Sequence, residues 1–474
     1  MKYTKILALF VLLILILQFL PGCSSSVSDT DDIEVETKEA QEYNPDDTMD
    51  QIAEKFADNL VGRHYADCMP FLSGEVKKSL PEKTLRDSYE GMLPLTGKYE
   101  KIVRTDYSYE GGYHIYVVTV NHKKQGMTIR IVLNEDKKVA GLWFNYAAKE
   151  DADKSLPDGI AEEDVIVDAG TGYPLKGKLT LPSLPSDSKN LLPAVVLVHG
   201  SGSTDMNETI YGNRPFKDIA HALAGKGIAV LRYDKRTYTY GAKAVEEFGG
   251  GFTVYEETIE DAVAAAEILK SDPRINKEKV FIIGHSMGGM LAPRIHAEGG
   301  NFAGIISLAG SPRSINDILY DQQMAYVEAM PDGDEKNESL ALLDRELYDA
   351  AVAEILNLPD DEAKKTPAGG GAAAYYYKDW ERIPTPEYVK DISVPFLILQ
   401  GKADFQVYYD KDFVLWQELL AGRSNAAFKL YDGLNHLFMP ATDSGIIDAD
   451  TAYSTPAHVD KTVCNDIAEW ILKN

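Results

Sequence analysis

An α/β fold is what the sequence predicts: a doubly wound, mainly parallel sheet with a lid insertion, preceded by a small α+β unit. Three observations carry this. From 164 to 474, apolar runs bounded by Gly and Pro alternate with helical patterns, the sign of strands covered on both faces. The alternation breaks over 311–393, where helical stretches, Gly369-Gly370-Gly371 and a Tyr-rich segment from Tyr375 to Trp380 are inserted. An insertion of this size between two strands reads as a lid. Residues 48–147 have the other order, helices first and an antiparallel meander after.

In the small unit, Ile52, Phe56 and Leu60 recur at helical spacing, which predicts a helix over 49–60. A short helix is expected within 80–93, with Pro81 near its start. YHIYVVTV (113–120), MTIRIVL (127–133) and KVAGLWF (138–144) read as strands. Charged residues with Pro and Gly make 148–163 an interdomain linker. Beyond it, VIV and LKGKLTL are early strands, followed by PAVVLVHG (193–200), a helix over 216–225 and IAVLRYD (228–234). TVYEETIEDAVAAAEILKSDP (253–273) is a helix that stops before Pro273. KVFIIG (279–284) is a strand and 286–298 a helix; AGIISLAG (303–310), VPFLILQG (394–401) and AAFKLYDG (426–433) are strands; a last helix falls near 456–473.

Residues 1–22 stand outside the fold. Lys2 and Lys5 precede a 15-residue apolar run, Ile6 to Leu20, broken only by Gln18. That is short for a membrane-spanning helix and fits the core of a signal peptide. Leu20-Pro21-Gly22-Cys23 then resembles the lipobox of bacterial lipoproteins, although Pro21 departs from the small residue usual there. The resemblance implies a lipid on Cys23 and a protein anchored in the cell membrane, facing the extracellular side of a bacterium. An uncleaved N-terminal anchor is the alternative. Residues 24–47 set nine acidic residues against one lysine, Lys38, and with Cys23 form a flexible acidic tether.

The 474 residues are 45% hydrophobic and 26% charged, ordinary for a protein with a large core. A net charge of −26 argues against nucleic acid as a partner, because phosphate binding needs a basic surface. Once Cys23 is set aside, Cys68 and Cys464 fall in different predicted domains, so a disulfide between them is open but not favoured. The spacing of Cys and His suggests no zinc site, and no metal or cofactor is expected.

The chemistry centres on Gly284-His285-Ser286-Met287-Gly288. Ser286 follows a predicted strand and opens a predicted helix, the placement a nucleophile elbow needs. A serine hydroxyl needs a base, and the base needs an acid to orient it. Asp404 lies just past VPFLILQ and His436 just past AAFKLYDG, each at a strand end and in the order Ser, Asp, His. His285, His296 and His458 read as structural; His64 and His114 read as surface or structural; Asp410 reads as a helix N-cap. An oxyanion needs donors. They are assigned to the backbone N–H of Met287 and of Ser201 in His199-Gly200-Ser201-Gly202, with His199 packing beneath that turn.

HGSG, RYDKR, GHSMGG, the LILQGKAD strand end and the GLNH loop, in that order over 160–474, resemble the α/β-hydrolase superfamily, closest to secreted bacterial esterases and serine-aminopeptidase-like hydrolases. Residues 48–147 resemble the small nuclear-transport-factor-2-like domain that precedes some of them. The loop after Asp234-Lys235-Arg236 lacks the Gly-x-Gly usual in the family, and those three residues read as a brace formed by ion pairs. The resemblance implies a carboxylesterase working on a small ester through an acyl-enzyme. A peptidase or amidase on short peptides, gripping an amine with Asp379 or Glu381, is one alternative. A non-catalytic surface-binding lipoprotein is another.

Overall fold

The computed structural model of the chain describes residues 39–474, apart from 111–112, 148, 150–155, 184–190, 242, 370–371 and 443–444. The expected signal peptide, Cys23 and most of the tether lie outside these residues. The described part of the acidic stretch is laid against the small unit: Tyr43 meets Phe71 edge-on at 5.3 Å, and Gln41 N donates to Asn59 Oδ1 at 2.7 Å.

Helix α1 (Met49–Val61) starts at a capping box, in which Thr48 Oγ1 accepts from Gln51 N and Gln51 Oε1 accepts from Thr48 N. Such a cap stabilises by about 1 kcal/mol. Its apolar stripe, Ile52, Phe56 and Leu60, is fully buried on a four-stranded antiparallel sheet, together with Leu85 and Tyr89 of α2 (Glu82–Glu90). The strands run in order: β1 (Tyr99–Glu110), β2 (Tyr113–His122), β3 (Gly126–Leu133) and β4 (Val139–Ala147). The last three are the expected meander. β1 is additional: it is an edge strand with Glu100, Lys101, Arg104 and Asp106, and its polar face hides it from a hydrophobic pattern.

The large sheet is built from β5 (Ile160–Val167), β6 (Leu175–Pro182), β7 (Leu192–Val198), β8 (Ala229–Tyr233), β9 (Ile275–His285), β10 (Ile305–Leu308), β11 (Phe396–Gly401) and β12 (Ala426–Tyr431). Among the described residues it is eight-stranded, in the order β12-β11-β10-β9-β7-β8-β6-β5. β5/β6 and β6/β8 are antiparallel, while β8/β7, β7/β9, β9/β10, β10/β11 and β11/β12 are parallel. This is the predicted doubly wound, mainly parallel sheet.

Successive side chains explain the two covered faces. Ala194, Val196 and Val198 enter one core with α4 (Glu260–Ser271) and α5 (Met287–Ile295). Val195 and Leu197 enter the other with α3 (Pro215–Ala224) and α8 (Lys461–Lys473). The helix expected over 253–273 begins with a wider π turn, Tyr255–Ile259, before α4. Between β10 and β11 the chain inserts α6 (Ile315–Ala329), α7 (Arg345–Leu356) and shorter helices around small cores of their own. Among the described residues Cys68 and Cys464 are both free and buried, one in the small unit's core and the other on the buried face of α8.

Candidate active site

The carboxyl edge of the large sheet gathers the residues named from the sequence. Ser286 sits between β9 and α5 with φ 53 and ψ −115, a left-handed conformation that costs a non-glycine residue of order 1–3 kcal/mol. The surrounding main chain imposes it. A Cβ on Gly284 would lie 2.1 Å from Gly288 O, and one on Gly288 would lie 2.3 Å from Val198 O, so only glycines allow strand, turn and helix to close this tightly. His285 and Met287 are buried, while Ser286 between them keeps part of its surface open. Met287 N precedes the first intrahelical bond, from Met290 N to Ser286 O at 3.0 Å, so it is one of the amides a helix start leaves for another acceptor.

Asp404 follows β11, and its carboxylate is held by four donors. Oδ1 accepts from Gln406 N at 2.8 Å and Val407 N at 3.0 Å. Oδ2 accepts from Gln400 Nε2 at 2.8 Å and His436 Nδ1 at 2.7 Å. Both Asp404 and His436 are buried, and the bond to Nδ1 leaves Nε2 as the nitrogen able to take a proton. The expected acid and base are thus brought together. Among the described residues Ser286 Oγ has no hydrogen-bond partner, so the serine–histidine link is open, as is common before substrate enters.

The loop after β7 closes on Ser286 from the other side. A Cβ on Gly200 would lie 3.2 Å from Ser286 Cβ, which seats the Gly200-Ser201 turn beside the serine. Lys235 Nζ donates to Gly200 O at 2.9 Å and pairs with Glu257 at 2.7 Å. Arg236 pairs with Asp261 at 2.6 Å and Glu260 at 2.7 Å, and Asp234 Oδ1 accepts from Met206 N at 2.8 Å. Lys235 and Arg236 thus brace the loop through ion pairs as expected, whereas Asp234 does so through a backbone N–H. Burial raises the Asp234 carboxyl to about 6, and burial lowers His199 to about 4, which leaves it neutral against Phe216 and Tyr233.

Two residues were not legible as a pair. His285, turned away from the serine, sends both ring nitrogens to acceptors: Nδ1 to Glu208 Oε1 at 3.0 Å and Nε2 to His436 O at 2.9 Å. Glu208 Oε1 also accepts from Gly200 N at 2.6 Å. Burial would lower His285, but the Glu208 carboxylate more than offsets it and the net direction is up; burial would raise Glu208, but His285 drives it down. The signal available was an acid nine positions after His199, in a stretch crowded with polar residues.

Three further expectations change. Asp410 is not an N-cap: it is exposed in the first turn after Tyr408, and Asp412 accepts from Tyr408 N at 2.8 Å instead. Asp379 does not offer an amine grip, being buried between Arg294 and Arg382 at 3.2 and 2.8 Å. Glu381 is likewise engaged, accepting from Ser314 Oγ and Ile315 N at the start of α6, both at 2.8 Å. His458 is exposed and bonded to Asp218 at 3.0 Å, and His296 Nδ1 accepts from Phe302 N at 3.0 Å, away from the site.

A serine in a strained strand-to-helix turn, with an acid–base pair two and three strands along, is the arrangement of one family. Its model, described as the alpha/beta hydrolase family, matches residues 195–447, and the chain belongs to that family. Residues 53–142 match a second model, described as a protein of unknown function, DUF3887. Esterase EstD of Thermotoga maritima is 32% identical over 428 residues, 90% of this chain and 96% of that protein. Similar solved structures include Est1E from Butyrivibrio proteoclasticus, 17% identical over 65% of this chain and 98% of that one, with a TM-score of 0.40. A Mycobacterium tuberculosis puromycin-hydrolyzing peptidase is 15% identical over 79% of this chain and 49% of that one, with a TM-score of 0.43.

Proposed function

We propose that this protein is a serine hydrolase that cleaves small carboxylic esters through an acyl-enzyme. The observation that carries the reading is the Asp404–His436 bond of 2.7 Å beside a serine held at φ 53 on the end of β9. The likeness to an esterase over nearly the whole chain supports it. Ser286 attacks the carbonyl while His436 takes its proton. Asp404 keeps His436 in the productive tautomer and stabilises the imidazolium. The tetrahedral oxyanion is met by Met287 N–H and Ser201 N–H. Collapse returns the proton from His436 to the leaving alcohol, leaving an acyl group on Ser286, and water activated by His436 then releases the acid. None of these steps calls on a metal or a cofactor.

The insertion between β10 and β11 is read as a lid, and the N-terminus as a lipid anchor on Cys23 that holds the enzyme on the outer face of the membrane. Purified protein should turn over short acyl nitrophenyl esters faster than the matching aminoacyl amides. Ser286→Ala should lower kcat by a factor of about 10⁴ or more. Ester turnover near wild type in that variant would sink the assignment.

A further inference from the structure

Glu208 carries three separate costs. It is a buried carboxylate, which is expensive unless fully paired. Among the described residues its Oε2 has no hydrogen-bond partner, because Gly200 N and His285 both bond to Oε1. Its backbone is left-handed, with φ 51. Costs of this kind persist where the surroundings over-determine a residue, and they cluster at functional sites. The surroundings here are the two halves of the candidate catalytic centre. Through Gly200 N, Glu208 holds the turn that presents Ser201. Through His285 it reaches the main chain of His436, whose ring lies 4.8 Å from the ring of His285.

The segment that carries Glu208 is pinned along its length. Asp205 accepts from the backbone and side chains of Asn207 and Thr209, at 2.9–3.1 Å. Three residues past Glu208, Tyr211 is also left-handed, with φ 53. Its ring packs on Tyr146 of β4, in the small unit, with centroids 5.0 Å apart. Arg214 Nη2 donates to Lys149 O just beyond β4. One strained segment therefore touches the oxyanion turn at one end and the N-terminal unit at the other.

We propose that Glu208 is a positioning residue for acyl transfer, keeping the Ser201 turn and His436 in register, and that the N-terminal unit acts on the site by clamping the same segment at Tyr211. This rests on the serine-hydrolase reading above. It assigns the N-terminal unit a role in turnover.

The test uses the full chain with Glu208→Ala, Glu208→Gln and Tyr146→Ala. For each, kcat and KM are measured on a short acyl nitrophenyl ester. The affinity of an aryl trifluoromethyl ketone, which forms an anionic tetrahedral adduct on a serine, is measured alongside. Glu208→Ala should lower kcat about 100-fold, the scale of losing an oxyanion donor, with KM within about threefold. Ketone affinity should fall with kcat. Tyr146→Ala should give the same signature at about five- to tenfold, and Glu208→Gln, which keeps an acceptor for Gly200 N, should fall between. Should Glu208→Ala not fold, the other two variants decide. Unchanged kcat, or a raised KM with ketone affinity intact, would overturn the proposal. Wild-type protein that neither turns over the ester nor binds the ketone would overturn the hydrolase reading as well. Active wild type with indifferent variants would remove only this inference.

Discussion

Two loops face each other across Ser286, and they are made by different means. The turn over 284–288 is a backbone object: glycines let main chain meet main chain at distances no Cβ permits. The segment over 199–214 is a side-chain object, held by Asp205, Glu208 and the incoming Lys235. The first is specified by five adjacent residues. The second depends on distant partners, such as His285 for Glu208, 77 positions away, and Ala457 for Asn213, 244 positions away. A local device is intolerant of any added atom. A distributed one should weaken by degrees, and its stability and catalytic effects should come apart.

The largest effect belongs to the turn. Gly288→Ala puts a carbon 2.3 Å from Val198 O and 2.7 Å from His199 O, both backbone atoms with nowhere to go. Loss of soluble protein, or destabilisation of about 4 kcal/mol or more by urea titration, is expected. A well-folded variant within 1 kcal/mol of wild type, by the ~1 kcal/mol scale of ordinary substitutions, would contradict the backbone account.

Next comes the distributed brace. Lys235→Met leaves buried Glu257 without its cation and Gly200 O without its donor. A loss of about 3 kcal/mol is expected, together with a fall in kcat. Adding Glu257→Gln should restore most of the stability, because the unpaired charge is gone, but not kcat. Recovery of both would mean that Lys235 does not position Gly200.

A smaller effect depends on pH. Burial raises the Asp234 carboxyl to about 6, above its ordinary value of about 3.9. The folded state then holds a proton the unfolded chain has released, so this group costs stability as pH rises from about 4 to about 6. Asp234→Asn keeps an acceptor for Met206 N and removes that cost. The variant should gain stability at pH 8 and none at pH 4, read from thermal unfolding at both. Equal shifts at the two pH values would place the effect elsewhere. Smallest of all is Arg274→Ala at the surface. Its fork onto Glu163, at 2.7 and 2.8 Å, is exposed, so stability should change by less than about 1 kcal/mol and kcat not at all.

The same contrast explains what could be read from the chain. Ser286 and Asp404 were legible because each follows a buried strand whose apolar run is visible, and because the glycines around Ser286 are adjacent; His436 follows β12, a half-buried edge strand whose AAFKLY still reads as a strand. The inner strands of the large sheet were legible for the same reason, whereas β5, an edge strand with little buried surface, begins at Ile160 inside the stretch 148–163 expected to be linker. β1 was not: Lys101, Arg104 and Asp106 face outward on an edge, so no hydrophobic rhythm announces them. Asp410 was misread because capping depends on where the turn starts, and here it starts at Tyr408. Glu208 and His285 were illegible as a pair because their contact is tertiary, made between loops that only the folded sheet brings together. Asp379 and Glu381 looked available because a sequence does not reveal that Arg294, Arg382 and the start of α6 already occupy them.

The central claim is that Ser286 is the nucleophile. Labelling the full-length protein with a fluorophosphonate and sequencing the modified peptide by mass spectrometry tests it most directly. The account predicts one adduct on Ser286, absent in Ser286→Ala and formed far more slowly in His436→Ala. An adduct on another residue, or no adduct on protein that still hydrolyses esters, would contradict it.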